Sequence, residues 1–361
     1  MSNAINQYGG SALSLILEAG VKELTAQQET ATWQSSTGIV AATYADLGSS
    51  RATVLDLTPK ITQVQSWQSN ISNAQTTLSV TATSLNQLVS QAQTLSTNLL
   101  GVSGTATTSQ VAAASAAAQA ALASMKTLLN TSDGTNYVFA GTDSTTSPVK
   151  GQTALSDTSL AQQIAASVKS VSSTGASSVL TQITGLAASN DPSVSVFSSA
   201  LSVSASQAVS GQRSIMTGTN SSTSIGIVAT QASTTSAASS TSTGSPIRDL
   251  MRDLMAVSAM NGMSSETPGF SDLAKQIYTS LGTTISQLTE QEGAVGGTQN
   301  SLTAQTTLLN GVNTMLETQL GNARNADMAT VATNASNIKT SLNASYILIS
   351  NMKGMTLADY L

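Results

Sequence analysis

The sequence predicts a mainly α protein: an elongated antiparallel helical bundle or coiled-coil rod, with paired N- and C-terminal helices and a small inserted β-containing domain. Three observations predict it. An apolar seam recurs in steps of three and four between Lys60 and Leu100. All five prolines fall from Pro59 to Pro268, which leaves both ends of the 361-residue chain free to be helical. The 40% hydrophobic fraction is supplied largely by Ala, with three Phe and two Trp. That composition favours thin packing in which small residues let helices approach closely.

Taken in order, the N-terminal segment carries the apolar run LSLIL, from Leu13 to Leu17. The run is too short for a signal-peptide core and has no Lys or Arg before it, so if the protein leaves the cell it is expected to do so without a cleaved signal of the ordinary kind. Thr58-Pro59 reads as a helix start, a capping hydroxyl before a proline at the first helical position. The seam follows through Val64, Trp67, Ile71, Ala74, Leu78, Thr81, Leu85, Leu88, Ala92, Leu95 and Leu99. Only Thr81 is polar, and a helix of this length would extend about 50 Å. No charged residue occurs between Lys60 and Lys126. Coiled coils usually select partners through charged flanking positions, so these polar, uncharged flanks fit either a helix inside one polar bundle or, as the sharper expectation, outer faces that pack against copies of the same chain.

GVSGT, from Gly101 to Thr105, breaks the helix before an Ala-rich one from Val111 to about Leu129, placed to fold back antiparallel. In DGTNYVFAG, from Asp133 to Gly141, Tyr137 and Phe139 alternate between turn formers. This predicts a short strand at the exit from the helices. Residues 149–244, rich in Ser, Thr, Gly and Ala, read as an inserted domain with β-like pieces at SVSVF (Ser193–Phe197) and SIGIV (Ser224–Val228). Ser245-Pro246 again suggests a helix start, with Ile247, Leu250, Met251, Leu254 and Met255 on one face. From Phe270 the stepping resumes through Ala274, Ile277, Leu281, Thr284, Leu288, Val295, Leu302, Leu309, Val312 and Leu316, with Gly296-Gly297 as an interruption. A second register through Met328, Val331, Ala335, Ile338, Leu342, Ser345, Ile349 and Met352 implies a joint near Ala326.

The composition excludes much chemistry. There is no Cys and no His, which removes thiol nucleophiles, imidazole bases and the usual zinc sites. Asp249 and Asp253 are four apart, but Arg248 and Arg252 interleave with them, which reads as ion pairing on a surface. Neither a catalytic site nor a cofactor or metal site is expected. Thirteen basic residues scattered against eighteen acidic ones do not suggest nucleic acid, and no apolar run approaches a membrane span. Charged residues make up 9% of the chain, against roughly 25% in typical soluble proteins. Much of the surface is therefore expected to be covered in the working state.

Four stretches resemble the flagellin-like axial proteins of bacteria. QSSTG (Gln34–Gly38) is similar to a segment near that family's N-terminus, and NISNAQTTLSVTATSLNQL (Asn70–Leu88) to its first long coiled-coil helix. NTSDGTNYVFAG (Asn130–Gly141) and TLADYL (Thr356–Leu361) resemble the branch that joins hook to filament. The opening MSNAINQYGG and the stretch IVAATYADLGSSR after QSSTG depart from the family's usual Met-Arg-Ile and Pro-Ser-Asp-Asp-Pro segments.

The resemblance implies an extracellular structural subunit that assembles with itself, with an adjacent hook-associated protein and with flagellin. It also implies an export chaperone on the C-terminal helix. The implied division is a terminal assembly domain of residues 1–53 and 324–361, a rod of 54–148 and 245–323, and an insertion of 149–244. Assembly is expected of Ile338, Leu342, Ile349, Met352, Leu357, Tyr360 and Leu361, in terminal segments that pair only in the assembly. The filament subunit itself, or a secreted fibre or adhesin-like binding protein, are the alternative readings.

Overall fold

The computed structural model describes the backbone of residues 3–235 and 237–354, and the side chains of residues 15–235 and 237–351. The chain folds as two compact units, Met1–Gln65 with Asn310–Leu361, and Ser66–Leu309. The architecture is mainly helical with one small two-stranded sheet. Helix α1 is Asn3–Thr37, α2 is Arg51–Val102 and α3 is Thr108–Leu129. The excursion that follows holds α4 (Ser159–Lys169), α5 (Val171–Thr174), α6 (Ala176–Ala188) and α7 (Ala205–Val209). Strands β1 (Arg213–Gly218) and β2 (Ser221–Ile225) close it as an antiparallel hairpin. Then come α8 (Pro246–Ala259), α9 (Phe270–Arg324) and α10 (Met328–Gly354).

In the Ser66–Leu309 unit, the periodic residues of α2 form its buried face. Ile71, Leu78, Leu85, Leu88, Leu95 and Leu99 are buried, and Trp67 is half-buried. On α9 the buried face runs through Phe270, Ala274, Ile277, Leu281, Leu288, Val295 and Leu302. Gln75 donates to Thr303 at 3.2 Å and Asn86 to Glu292 at 3.2 Å. As the partner advances on α2 it retreats on α9, so the two helices are antiparallel. Gln91 on α2 donates to Ser124 on α3 at 2.7 Å. The start of α3 is fixed by a capping box in which Thr107 and Gln110 satisfy each other's backbone N–H groups.

Several expectations are corrected. Helix α2 begins at Arg51, so Pro59 lies inside it. Proline removes the bond to the Leu55 carbonyl. Leu55 is exposed, so water can take up that acceptor, while Thr58 donates back to Val54 O at 2.8 Å. Gly296 and Gly297 do not interrupt α9, because the seam from Leu288 to Leu302 stays buried through them. Each such glycine costs roughly 0.5–1 kcal/mol relative to Ala. A Cβ at either position meets nothing within 4 Å. Gly296→Ala is therefore expected to raise the unfolding free energy by about 0.5–1 kcal/mol in urea titration.

The excursion holds four short helices beside its single hairpin, with turns and irregular chain making up the rest. SVSVF contributes only an isolated bridge between Phe197 and Val149, whereas SIGIV begins within β2. The hairpin is tied to both long helices of its unit, since Asn70 donates to Met216 O at 3.3 Å and Gln305 to Thr217 O at 3.2 Å.

Candidate assembly surface

The unit of Met1–Gln65 and Asn310–Leu361 is organised by a corner at which three chain segments meet. Gly38 ends α1 in the left-handed region, φ 70°, and its N–H bonds Gln34 O at 2.8 Å. Gln34 also reaches across the corner to donate to Val40 O at 2.7 Å. Ala326 donates to Gly38 O at 2.9 Å and Val40 donates to Arg324 O at 2.8 Å, which fastens the end of α1 to the break between α9 and α10. QSSTG is thus a helix terminus followed by a clasp. The phase change near Ala326 falls at this break.

Asp327 caps α10. Its carboxylate accepts from Thr330 Oγ1 at 2.9 Å and Ala329 N at 3.0 Å, and these bonds hold its pKa below the usual aspartate value.

From that corner α1 and α10 run beside each other. Because α1 ends where α10 begins, they are antiparallel. The terminal segments therefore pair within one chain, contrary to the expectation that they pair only in an assembly. The pair is thin: Ala31, Val331 and Leu342 are buried, while Ile338 and Ile349 are half-buried. Ile338 lines a groove with Glu23, Gln27 and Ala31 of α1.

Farther from the corner, Leu15 and Ile16 are 66% and 68% exposed, and Ile347 is 62% exposed. Tyr346 and Leu348 are exposed as well. The antiparallel register that sets Gly38 beside Ala326 brings Leu15 and Ile16 level with Ile347 and Leu348. Exposed apolar side chains gathered at one level of a helix pair are what association surfaces present. The Met352 side chain and residues Leu357, Tyr360 and Leu361 lie outside the described residues.

At Tyr137 and Phe139 no strand forms. Tyr137 makes an isolated bridge to Ser132 and is half-buried, whereas Phe139 is fully buried. The segment is a knot of turns instead. Asp133 Oδ1 accepts from the backbone N–H groups of Thr135 (3.0 Å) and Asn136 (2.9 Å), and Oδ2 accepts from Thr77 of α2 at 2.6 Å. Burial works against these bonds, but together with Arg213 they leave the carboxyl below its usual pKa. Phe139 O accepts from Ala229 N at 3.0 Å, and Thr142 donates to Gly211 O at 2.9 Å.

The departing and returning strands of the excursion are thus fastened together here. Gly141 makes the approach possible: its φ is 64°, and a Cβ would collide with Gly211 O and Val228. Gly141→Ala is expected to cost well over the roughly 1–3 kcal/mol of left-handed strain alone. Gly151→Ala, with φ 75° and open space around it, supplies the strain-only control in paired thermal melts.

Arg248, Asp249, Arg252 and Asp253 are not on a surface. All four are buried, because α8 is packed by α3, α4 and α6 and is buried along its length. Arg252 is fully enclosed; Nη2 lies 2.8 Å from Asp253 Oδ1 and Nη1 lies 3.3 Å from Asp249 Oδ1. Its Nη1 also donates to Thr184 Oγ1 at 2.8 Å and Thr241 O at 2.9 Å. Asp249 receives Ser242 Oγ at 2.6 Å and Thr243 N at 2.8 Å.

Arg248 donates to the carbonyls of Ala187, Ala188, Leu201 and Val203 and stacks over Phe197 at 5.4 Å. Burial lowers its pKa to about 10, with Asp249 opposing, so it stays charged at neutral pH. Every carboxylate oxygen in the cluster named here is engaged by donors of the chain itself, an arrangement suited to holding loops in place. Periodicity marked α8 as amphipathic; alternating acid and base on its other face gave no sign that other helices would cover it.

Among the described residues no group of three or more acidic side chains could hold a metal, and no helix is long and apolar enough to cross a membrane. Residues 278–361 match the family of the bacterial flagellin C-terminal helical region. The matched stretch takes in most of α9 and all of α10, with their sides of the corner and of the exposed apolar band. No curated protein matches the chain. The family match supports a structural, flagellin-like subunit of the flagellum that associates with itself outside the cell.

Proposed function

We propose that this chain is a junction subunit of the flagellum, joining hook to filament in the manner of hook-associated protein 3. The observation that carries its self-assembly is the exposed apolar band on α1 and α10, with Leu15, Ile16, Ile347 and Leu348 at one level. Neighbouring copies, an adjacent hook-associated protein and flagellin would cover that band. Before assembly an export chaperone would cover the α10 side. In this reading residues 1–53 with 324–361 form the assembly domain, residues 54–148 with 245–323 the rod, and residues 149–244 the insertion facing outward. The work is mechanical: seam packing within a subunit and lateral packing of charge-poor faces between subunits, with no catalysis and no cofactor.

The junction role, as distinct from the filament role, rests on the likeness of Asn130–Gly141 and Thr356–Leu361 to the hook-joining branch. A filament subunit is the second reading, with which the flagellin match over residues 278–361 is equally compatible. Gold labelling of intact flagella against the 149–244 region separates them. Label confined to the boundary between hook and filament supports the junction role. Label along the whole filament assigns the chain to the filament, and flagella without label remove both readings.

A further inference from the structure

We propose that Asn261 is a site of spontaneous modification, at which its side-chain amide is converted to aspartate and isoaspartate. The inference is independent of the assembly reading. Asn261-Gly262 lies in the turn between α8 and α9, where Met263 N bonds Met260 O at 3.0 Å and Gly262 takes φ 87°. That φ is the left-handed position of a type II turn, which glycine occupies without strain. Both residues are exposed, and a Cβ at Gly262 would meet nothing within 4 Å. Among the described residues the Gly262 N–H has no acceptor and the Asn261 amide has no partner.

The reacting groups are therefore unencumbered. Gly262 N attacks Asn261 Cγ and closes a succinimide; the N–H proton leaves with the amide nitrogen as ammonia. Water then opens the ring to a carboxylate on either the normal or the β-linked backbone.

Two comparable sites in the chain are held back. Asn310-Gly311 has the same pair of residues and Asn310 is exposed, but it lies inside α9, where the helix fixes the backbone and occupies the Gly311 N–H. Asp133-Gly134 is restrained by its Asx bonds, and Gly134 N donates to Ser132 Oγ at 3.1 Å. Local backbone freedom, not sequence, is what singles out Asn261.

Conversion has a structural consequence nearby. Ser265, four residues on, bonds Ala106 O through both its N–H (3.1 Å) and its hydroxyl (3.2 Å), which ties this turn to the α2–α3 corner. An added backbone carbon and a new carboxylate in this turn are expected to loosen that tie.

The test is incubation of the folded full-length protein at neutral and mildly alkaline pH, followed by peptide mapping with an isoaspartate-specific methylation assay. The expected result is isoaspartate accumulating at Asn261, faster at the higher pH, with Asn310 intact and with faster amide exchange at Ser265 in the converted fraction. In Asn261→Gln that signal is lost. In urea Asn310 should begin to convert, which shows that the helix protects it. Asn261 remaining an amide after a free peptide of the same sequence has converted overturns the inference. Equal conversion at Asn261 and Asn310 in the folded protein overturns it too.

Discussion

Arg252→Ala is expected to lower the unfolding free energy of the Ser66–Leu309 unit by about 3–5 kcal/mol. The side chain is the largest one fully buried among the described residues, and its removal leaves Asp249 and Asp253 enclosed without their countercharge. It also frees Thr184, the Thr241 carbonyl and Ser280, the last of which donates to Asp253 Oδ2 at 2.8 Å. Arg252→Lys keeps the charge but loses the planar fork, so its loss is expected to be intermediate. Urea midpoints, read with unchanged denaturant slopes, check both.

The cluster also carries a pH dependence. Burial raises the Asp253 carboxyl to about 6, with Arg252 and Ser280 opposing. The two carboxylates in turn hold Arg252 above its usual value against burial. A raised acid binds its proton more tightly when folded than when unfolded. Its stabilising contribution is therefore complete below the ordinary aspartate value and is lost as pH rises through about 6. Asp253→Asn is expected to flatten that part of the stability curve in melts between the two values. An unchanged slope would mean that Asp253 is not the group responsible.

Leu85→Asp is the second large effect. Leu85 is fully buried in the middle of the α2 seam. Truncation to Ala at such a site costs about 2–5 kcal/mol, and a carboxylate adds the cost of burying an unpaired charge. The Ser66–Leu309 unit is expected to lose its cooperative melt altogether. Leu100→Asp, on the exposed side of the same helix, is expected to stay within about 0.5 kcal/mol of the parent. Circular dichroism melts of the two variants separate a seam from a generally helical segment.

What was legible in the sequence was periodic. The seam on α2 and the register of α9 show in the spacing of Leu and Ile because a helix buries one stripe whatever lies against it. The break near Ala326 shows as a change of phase. Local signals misled where packing outweighed them. Thr58-Pro59 looks like a helix start, yet α2 carries the proline inside it because the lost bond faces water. Gly296-Gly297 looks like an interruption, yet the buried residues on either side hold α9 together. Tyr137 and Phe139 alternate like a strand, but Asp133 captures the chain into turns.

The buried charge cluster was the least legible element. Arg252 and Asp253 carry no mark of the strap at Thr241–Thr243 or of Thr184 that encloses them. Thr184 is distant in sequence, the strap is near but folds back irregularly over the start of α8, and no spacing rule encodes either contact.

The central claim is that the exposed apolar band on α1 and α10 drives assembly. The direct test is Ile347→Asp with Leu348→Asp in one chain, expressed in a strain lacking the wild-type copy. Because both side chains are exposed in the single chain, the purified variant is expected to keep its helical signal and its urea midpoint. It should be secreted but absent from purified flagella. Incorporation at the wild-type level, with the fold equally intact, would contradict the account.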